Sequence, residues 1–503
     1  MPCSAGVPSE QAHPPLVLSE ELTREFLIHH RVCPLHLADD GQVVVGLSAD
    51  GCPEAVTEVG TAYGRSARPQ IIDRSELDRA IDRLCSVAED ALRFASDAQA
   101  AAHGFEDDLG ADLRELANQP PVIRYVNALV RSAADLGASD IHLEATRNGS
   151  LAVRLRRDGV LVPGEAPAPA LPHAVVSRIK LLAELDTAER RRPQDGRIRV
   201  KLDARDLDLR VSTVPTLHGE SVVIRLLDQG GRPAELNGLG MSQGTLDVMT
   251  GLCDRPNGMI VVTGPTGSGK TTTLYAALLR RPADREKIIT IEDPVEYQLA
   301  GIAQVPVHQR AGVTFGTILR SILRQDPDVI MVGEMRDAMT AEVAVQAAMT
   351  GHLVLSTLHT NDAIGAIARL MDLGIPDYLV AATLEGVLAQ RLVRRICDSC
   401  RVRYDAPPEQ VALVSGKPTA ERVLMQGAGC ENCRGTGYRG RIGLFELLVM
   451  DDELKDAISR GARRTEIGNL AAGRGMRSLR ADGWQKIEAG LTTLEEVIRV
   501  TTE

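Results

Sequence analysis

Short segments in which apolar residues alternate with polar ones, or run together, recur along the chain and predict β-strands. The first follows Asp40 and Gly41, a pair typical of a turn before a strand. Several of the later segments are rich in Val and Ile, which favour strands. The segments lie at residues 43–45, 151–155, 207–211, 222–226, 259–263, 288–291, 329–332 and 353–355.

Apolar residues at intervals of three or four positions predict helices. In the first such segment these positions are Ile81, Leu84, Ala88 and Leu92, and the second segment begins after Pro120, a residue that favours the first turn of a helix. The predicted helices cover residues 76–103, 122–135 and 272–279.

Stretches rich in turn residues divide the chain into domains. Residues 103–110 are polar with two glycines, and residues 229–233 read Gln-Gly-Gly-Arg-Pro. The predicted organisation is a small N-terminal domain (1–75), a helix and linker (76–111), an α+β domain (112–228), a second linker (229–235) and a large α/β domain (236–503).

The composition narrows the class of protein. The 503 residues are 44% hydrophobic, only 3% aromatic, and carry a net charge of -11. Proteins that bind nucleic acids usually have basic surfaces and often stacking aromatics, so no nucleic-acid partner is expected. No apolar run approaches the roughly 18 residues of a membrane span, and the first basic residue, Arg24, follows no long apolar run. A cytoplasmic protein is therefore expected.

A glycine-rich segment between a predicted strand and a predicted helix fits the phosphate-loop pattern GxxxxGK[ST]. Backbone N–H groups of such a loop surround phosphates at a helix N-terminus. We expect Lys270 to bind the β- and γ-phosphates of ATP and Thr271 to bind Mg²⁺. The residues expected to bind the nucleotide are Gly264, Pro265, Thr266, Gly267, Ser268, Gly269, Lys270, Thr271 and Thr272.

Acidic residues and histidines follow three other predicted strands. Ligands of open α/β sheets bind at the carboxyl ends of strands, so these groups can converge on the phosphate site. Glu334 ends a segment resembling a Walker B strand and is the expected general base, and Glu292 is a second candidate carboxylate. His359 follows the next strand, whereas His352 fits a capping or core role equally well.

Two pairs of arginines are candidates for phosphate or subunit contacts. Arg320 and Arg324 are four residues apart before the Walker B strand, and Arg210 and Arg225 lie in strands of the middle domain. The pattern alone favours ordinary surface ion pairs for both.

Four of the nine cysteines form two CxxC pairs, Cys397 with Cys400 and Cys430 with Cys433, separated by 29 residues. Four thiolates suit a tetrahedral zinc ion, and with no open position the metal is expected to be structural. A redox CxxC is the competing interpretation.

Together these segments resemble the motor ATPases of type II secretion systems. Gly264–Tyr275 is similar to the Walker A segment of that family, Ile291–Tyr297 to its Asp box and Thr350–Asn361 to its His box. The middle domain adds Gly137–Glu144, Pro193–Arg197 and Arg210–Thr213. The resemblance covers about residues 112–503, and the first hundred residues carry no matching motif. Pilus extension ATPases share nearly every motif and are the alternative.

The resemblance implies an α/β fold in which a RecA-like motor domain follows a PAS-like α+β domain and carries a zinc-binding insertion at about residues 395–440. It implies a homo-hexamer that is peripheral at the inner membrane, where residues 1–75 dock onto a platform protein. It also implies that Arg210 and Arg225 move onto the nucleotide when the domains close, and that ATP hydrolysis powers pseudopilus assembly.

Overall fold

This computed structural model describes residues 22, 24–38, 41–81, 116–202, 205–228, 234–308, 312–416 and 422–502. Its strands form sheets of three, six, seven and two strands. Most of the first predicted helix, including Leu84, Ala88 and Leu92, and both linker candidates, at 103–110 and 229–233, lie outside the described residues. Within the described ranges, no helix is both long enough and apolar enough to cross a membrane.

The N-terminal part of the chain is a three-stranded sheet with helices. Its elements are the helix Arg24–His30, β1 (Val32–Leu37), β2 (Val43–Leu47), the helix Glu54–Ala62, β3 (Ala67–Ile71) and a helix at residues 74–81. The central strand, β2, pairs antiparallel with β1 and parallel with β3. Val43 and Val45 pack with Val59, Leu77 and Ile81, so this sheet has its own core.

The middle part is a six-stranded antiparallel sheet in the order β6-β5-β4-β9-β8-β7. Its elements are the helix Pro120–Asp135, β4 (Ala138–Ala145), β5 (Leu151–Arg157), β6 (Val160–Pro163), the helix Pro172–Leu182, β7 (Gln194–Leu202), β8 (Arg205–Thr216) and β9 (Gly219–Asp228). Val122, Val126 and Leu129 of the first helix pack on Ile141 and Ile224 of the sheet. The sheet's other face is therefore available to present polar side chains from β8 and β9.

The largest sheet has seven strands in the order β12-β11-β13-β14-β10-β15-β18, parallel except for β15 with β18. The strands are β10 (Gly258–Thr263), β11 (Ile288–Glu292), β12 (Ala303–Pro306), β13 (Val329–Val332), β14 (Leu353–Leu358), β15 (Leu384–Ile396) and β18 (Tyr438–Val449). The connecting helices are Gln243–Cys253, Lys270–Leu278, Phe315–Ile322, Ala338–Met349, Ala363–Asp372 and Asp377–Thr383, after a 3-10 turn at Leu236–Leu239.

Both faces of this sheet are buried. Met259 and Val261 of β10 contribute to one apolar core, and Ile260 and Val262 contribute to the other. Alternate side chains of a strand point to opposite faces, which explains why the buried strand is a continuous apolar run. The predicted α/β fold is confirmed.

The segment between β15 and β18 carries the cysteine pairs and has secondary structure of its own. It contains the 3-10 turns Asp398–Cys400 and Glu431–Cys433, the antiparallel pair β16 (Arg401–Ala406) and β17 (Arg422–Gly427), and the helix Pro408–Ser415. The chain ends in the helices Asp452–Ser459, Arg464–Gly473, Leu479–Glu488 and Leu494–Thr501. Val411 and Leu424 pack with Ile487 and Val497, so the segment shares a core with the last two helices.

Candidate functional site

The phosphate loop joins the end of β10 to the helix Lys270–Leu278. Gly264 and Gly269 adopt φ angles of 148° and 88°, which favour glycine. A Cβ atom on Gly264 would lie 2.4 Å from the carbonyl oxygen of Gln390. The backbone therefore turns sharply against β15, and the helix begins directly beneath the loop.

Lys270 is held inside this loop. Its Nζ donates hydrogen bonds to the carbonyl oxygens of Gly264, at 2.7 Å, and Pro265, at 3.0 Å. Burial, reinforced by the charge of Arg391, lowers the pKa of Lys270 to about 8, although Glu334 opposes the shift. A bound anion would restore the charge that burial disfavours.

A cavity of about 550 Å³ opens above the loop. Thr271 and Thr272 line it together with most of the loop, and the ends of β11, β13 and β14 contribute Glu292, Glu334 and His359. The side chains that sequence analysis selected from separate strands thus share one cavity, because the carboxyl ends of parallel strands lie at the same edge of the sheet.

Glu334 lies in a charged environment. Its Oε2 is 2.6 Å from Nε of Arg336 and 3.5 Å from Nε2 of His359, and its side chain is 13% exposed. Burial and the charge of Lys270 lower the pKa of His359, so its imidazole is neutral near pH 7 although Glu334 opposes the shift. The carboxylate of Glu334 thus lies between the cation of Arg336 and the neutral imidazole of His359, and it still borders the cavity.

Glu292 lies in a different environment, although it also borders the cavity. It is 2% exposed. It accepts hydrogen bonds from Oγ1 of Thr290, at 2.6 Å, from Nε2 of Gln304, at 3.0 Å, and from the hydroxyl of Tyr275. Three donors hold this carboxylate, so it is well placed to organise the surrounding loop and poorly placed to bind an attacking water.

Two arginines of the middle part reach the same cavity. Arg210 of β8 pairs with Glu296, with Nη2 and Oε2 3.2 Å apart, and Arg225 of β9 pairs with Asp140, with Nε and Oδ1 2.9 Å apart. Each cation is thus held at the rim of the cavity by a carboxylate.

Arg336 and Arg441 also line the cavity, and sequence analysis missed both. Arg336 lies two residues after Glu334, so the rule that selected strand-end residues could have found it. Arg441 lies in β18, far from the other motifs in sequence, and no local pattern marks it.

Three other candidates lie elsewhere. Arg320 and Arg324 are exposed and do not line the cavity, and Nη1 of Arg324 donates to the carbonyl oxygen of Arg320 at 3.0 Å. His352 has its Nδ1 2.9 Å from the carbonyl oxygen of Ala347 and 3.2 Å from Oγ1 of Thr350. Its imidazole therefore caps the C-terminal end of the helix Ala338–Met349.

The four cysteines of the CxxC pairs come together, with all four Sγ atoms within 4.8 Å of one another. Sγ of Cys397 is 3.9 Å from that of Cys430, and Sγ of Cys400 is 3.8 Å from that of Cys433. A tetrahedral zinc ion with bonds of about 2.3 Å would separate its sulfurs by about 3.8 Å, so the cluster fits zinc.

Backbone groups stabilise the thiolate of one cysteine in this cluster, Cys433, whereas burial raises the pKa of Cys400 to about 12. The N–H groups of Cys430 and Gly437 donate to Sγ of Cys433, at 3.1 and 3.2 Å. Burial opposes ionisation of Cys433, but these hydrogen bonds, with those of the neighbouring thiols, lower its pKa to about 6. Thiolate is the form that binds zinc.

A phosphate loop at the edge of an open parallel sheet, with an acid and a histidine on neighbouring strands, defines a P-loop nucleoside triphosphatase. The chain belongs to a particular family of this class. The model of the type II/IV secretion system protein family matches residues 115–499. The predicted resemblance is confirmed. A MshEN domain model matches residues 6–91, where sequence analysis had found no motif.

Curated relatives agree with this assignment. The chain is 46% identical over 495 residues to type II secretion system protein E of Xanthomonas campestris pv. campestris. The aligned region covers 97% of this chain and 87% of the relative. It is 48% identical to type II secretion system ATPase E of Vibrio cholerae serotype O1 over 78% of each chain. Protein HxcR of Pseudomonas aeruginosa is 51% identical over 78% of this chain and 80% of its own.

Solved structures show the same architecture. The pilus retraction motor PilT with bound ADP matches with a TM-score of 0.50 and 26% identity, over 74% of this chain and 96% of its own. The ATPase DotB of Legionella pneumophila matches with a TM-score of 0.55 and 19% identity, over 75% of this chain and 95% of its own, and supports the fold alone.

Proposed function

We propose that this chain is the motor ATPase of a type II secretion system, in which ATP hydrolysis drives pseudopilus assembly and protein export. The observation that carries the proposal is the single cavity that Lys270, Glu334 and the middle-domain arginines share. The relatives described above carry type II secretion names, which favours secretion over pilus extension.

The residues of the cavity fit the requirements of phosphoryl transfer, which depends on positioning and charge stabilisation. Lys270 and the loop N–H groups bind the β- and γ-phosphates. Glu334 is the general base, which orients the attacking water toward the γ-phosphate and accepts its proton. Arg210 and Arg225 neutralise charge on the transferred group once the middle domain closes, and His359 orients Glu334.

Two metals complete the proposal. Thr271 follows Lys270 in the loop and would hold Mg²⁺, which neutralises phosphate charge when it is bound. Cys397, Cys400, Cys430 and Cys433 would hold Zn²⁺ as a structural ion, because the four thiols leave no position for a substrate.

The proposed assembly is a homo-hexamer in the cytoplasm, peripheral at the inner membrane. The N-terminal domain docks onto the cytoplasmic part of an inner-membrane platform protein. Nucleic acid is not a proposed partner, since the chain has a net charge of -11 and 3% aromatic residues. Secretin and pseudopilin genes beside this gene would support secretion, and pilin genes alone would favour pilus extension.

A phosphate-release assay with matched variants tests the proposed chemistry. Lys270→Ala removes the phosphate-binding charge and should abolish turnover. Glu334→Gln keeps the shape of the side chain and should retain ATP binding while turnover falls by about a hundredfold or more. Glu342→Gln, an exposed acid on the helix Ala338–Met349, is the control and should match the wild type. Wild-type turnover in Glu334→Gln would exclude Glu334 as the general base, because a glutamine can still orient water but cannot accept its proton.

A further inference from the structure

A buried tyrosine connects the phosphate-loop helix to the loop that follows β11. Tyr275 lies on the helix Lys270–Leu278 and is fully buried. Its hydroxyl donates to Oε2 of Glu292 and accepts the backbone N–H of Glu296 at 3.3 Å. One oxygen atom thus joins the helix to both ends of the Glu292–Glu296 segment.

Gln304 holds the same loop from the opposite side. Its Nε2 donates to Oε1 of Glu292, at 3.0 Å, and to the carbonyl oxygen of Tyr297, at 2.9 Å. Its Oε1 accepts the backbone N–H of Leu299 at 2.7 Å. Since Gln304 lies in β12, the loop is fixed between an edge strand and the phosphate-loop helix.

The anchored loop carries the carboxylate that holds Arg210. Oε2 of Glu296 lies 3.2 Å from Nη2 of Arg210, and this ion pair joins the motor domain to β8 of the middle domain. Arg210 in turn lines the cavity above Lys270. A continuous chain of contacts therefore runs from the helix under the phosphates, through Tyr275 and Glu296, to the arginine.

The chemistry of the hydroxyl suits a fixed link. Burial, and after it the hydrogen bond to Glu292, raise the pKa of Tyr275, so the group stays protonated and remains a donor. The ring of Tyr275 packs edge-on against that of Tyr297, with centroids 5.9 Å apart. The ring fills the core, while the oxygen alone makes the polar connection.

We propose that Tyr275 is a positioning residue, whose hydroxyl sets the place of Glu296 and through it the place of Arg210 at the nucleotide cavity. The proposal rests on the proposed ATPase function. It assigns a reaction role to a group that does not itself face the phosphates.

The decisive variant is Tyr275→Phe, which keeps the ring and removes the oxygen. We expect kcat to fall roughly tenfold while the Kd for ATP stays within about twofold of wild type, because the loss concerns an arginine that acts during turnover. Tyr125→Phe is the matched control, since Tyr125 is also buried and its hydroxyl makes one hydrogen bond, to the carbonyl oxygen of Glu165 at 2.8 Å, in the middle domain. It should keep the wild-type kcat.

A double-mutant cycle separates positioning from general destabilisation. If Tyr275 acts through Arg210, adding Tyr275→Phe to Arg210→Ala should lower the residual kcat no further. The proposal would be overturned if the two substitutions lowered kcat independently, so that their effects multiplied in the double variant. A wild-type kcat in Tyr275→Phe would also overturn it. If Tyr275→Phe unfolds at the assay temperature, Glu296→Gln tests the same link from a half-exposed position, and an unchanged kcat there would overturn it equally. A wild type that hydrolyses no ATP even when it is fused to a hexamer-forming tag would instead contradict the proposed function.

Discussion

Lys270 shows how the environment of one residue sets its chemistry. The residue is only 8% exposed, and burial lowers its pKa to about 8. Carbonyl oxygens of Gly264 and Pro265 hold the ammonium group at the place where phosphate is expected. The positive charge that binds phosphate is therefore lost at a pH only slightly above neutral.

This pKa predicts a pH dependence of ATP binding. A lysine is charged below its pKa, so affinity should be constant below about pH 7 and should fall through pH 8, by roughly fivefold between pH 8 and pH 9. His359, whose pKa is lowered, stays neutral throughout this range. Titration with a fluorescent ATP analogue from pH 6.5 to 9.5 measures the effect.

The control for this titration is Lys270→Met, which removes the titrating group. Its weaker affinity should not change over the same pH range. An affinity of the wild type that stays constant up to pH 9.5 would contradict the lowered pKa of Lys270.

Most residues at the phosphate site could be selected from the sequence, because the phosphate loop and the strand-end positions are local patterns. The difference between the two acids could not. Glu292 and Glu334 both follow apolar strands, but only the structure reveals that Thr290, Tyr275 and Gln304 surround Glu292. Those partners come from separate elements, and their meeting depends on tertiary packing.

At the scale of elements, the segment between β15 and β18 brings the two cysteine pairs together. β16 and β17 pair antiparallel, with Arg401 opposite Gly427, and this places Cys400 near the start of the second pair. The two CxxC pairs predicted the metal site but not the pairing of β16 with β17, because the register between distant strands has no local signature.

The cysteine cluster predicts about one zinc ion per chain. Cys430→Ser should lose the metal and lower the midpoint of thermal unfolding, since zinc binding in such sites contributes directly to folding. Elemental analysis and thermal unfolding of reduced protein measure both effects. Cys52→Ser, which changes a half-buried cysteine outside the cluster, should keep the zinc. A reduced, chelator-free wild type without metal would contradict the tetracysteine site.

At the scale of the whole molecule, the cavity is lined by residues of two sheets that lie far apart along the chain. The arginines come from β8 and β9, whereas the phosphate loop follows β10. The side chains of Arg210 and Glu296 are 25% and 30% exposed, whereas Arg225 is 55% exposed and its partner Asp140 only 8%. Each carboxylate thus positions its arginine at the cavity, while the guanidinium keeps an exposed side that can contact phosphate.

Arg210→Ala and Arg225→Ala should therefore reduce turnover more than ATP binding. Each arginine is proposed to act only when the middle domain closes, so kcat should fall by about tenfold or more while Kd changes by less than about threefold. Arg154→Ala is a matched control on β5, where the arginine pairs with Glu144 at 2.7 Å outside the cavity. Normal turnover in both cavity variants would refute their proposed role.

Assembly should control the activity of this chain. Phosphoryl transfer requires cations fixed around the γ-phosphate, and here Arg210 and Arg225 belong to a separate sheet, which the partly exposed ion pair of Arg210 with Glu296 joins to the motor domain. In an isolated monomer the closed arrangement should be thinly populated, so a monomer should be a poor ATPase. A ring can hold each middle domain closed against its neighbours.

We expect that fusing the full chain to a hexamer-forming tag raises kcat per chain by about tenfold or more, in proportion to the closed fraction. The same fusion carrying Lys270→Ala, which should stay inactive, is the control. Equal activity per chain with and without the tag, in a protein shown by light scattering to be monomeric, would mean that each chain is a complete enzyme.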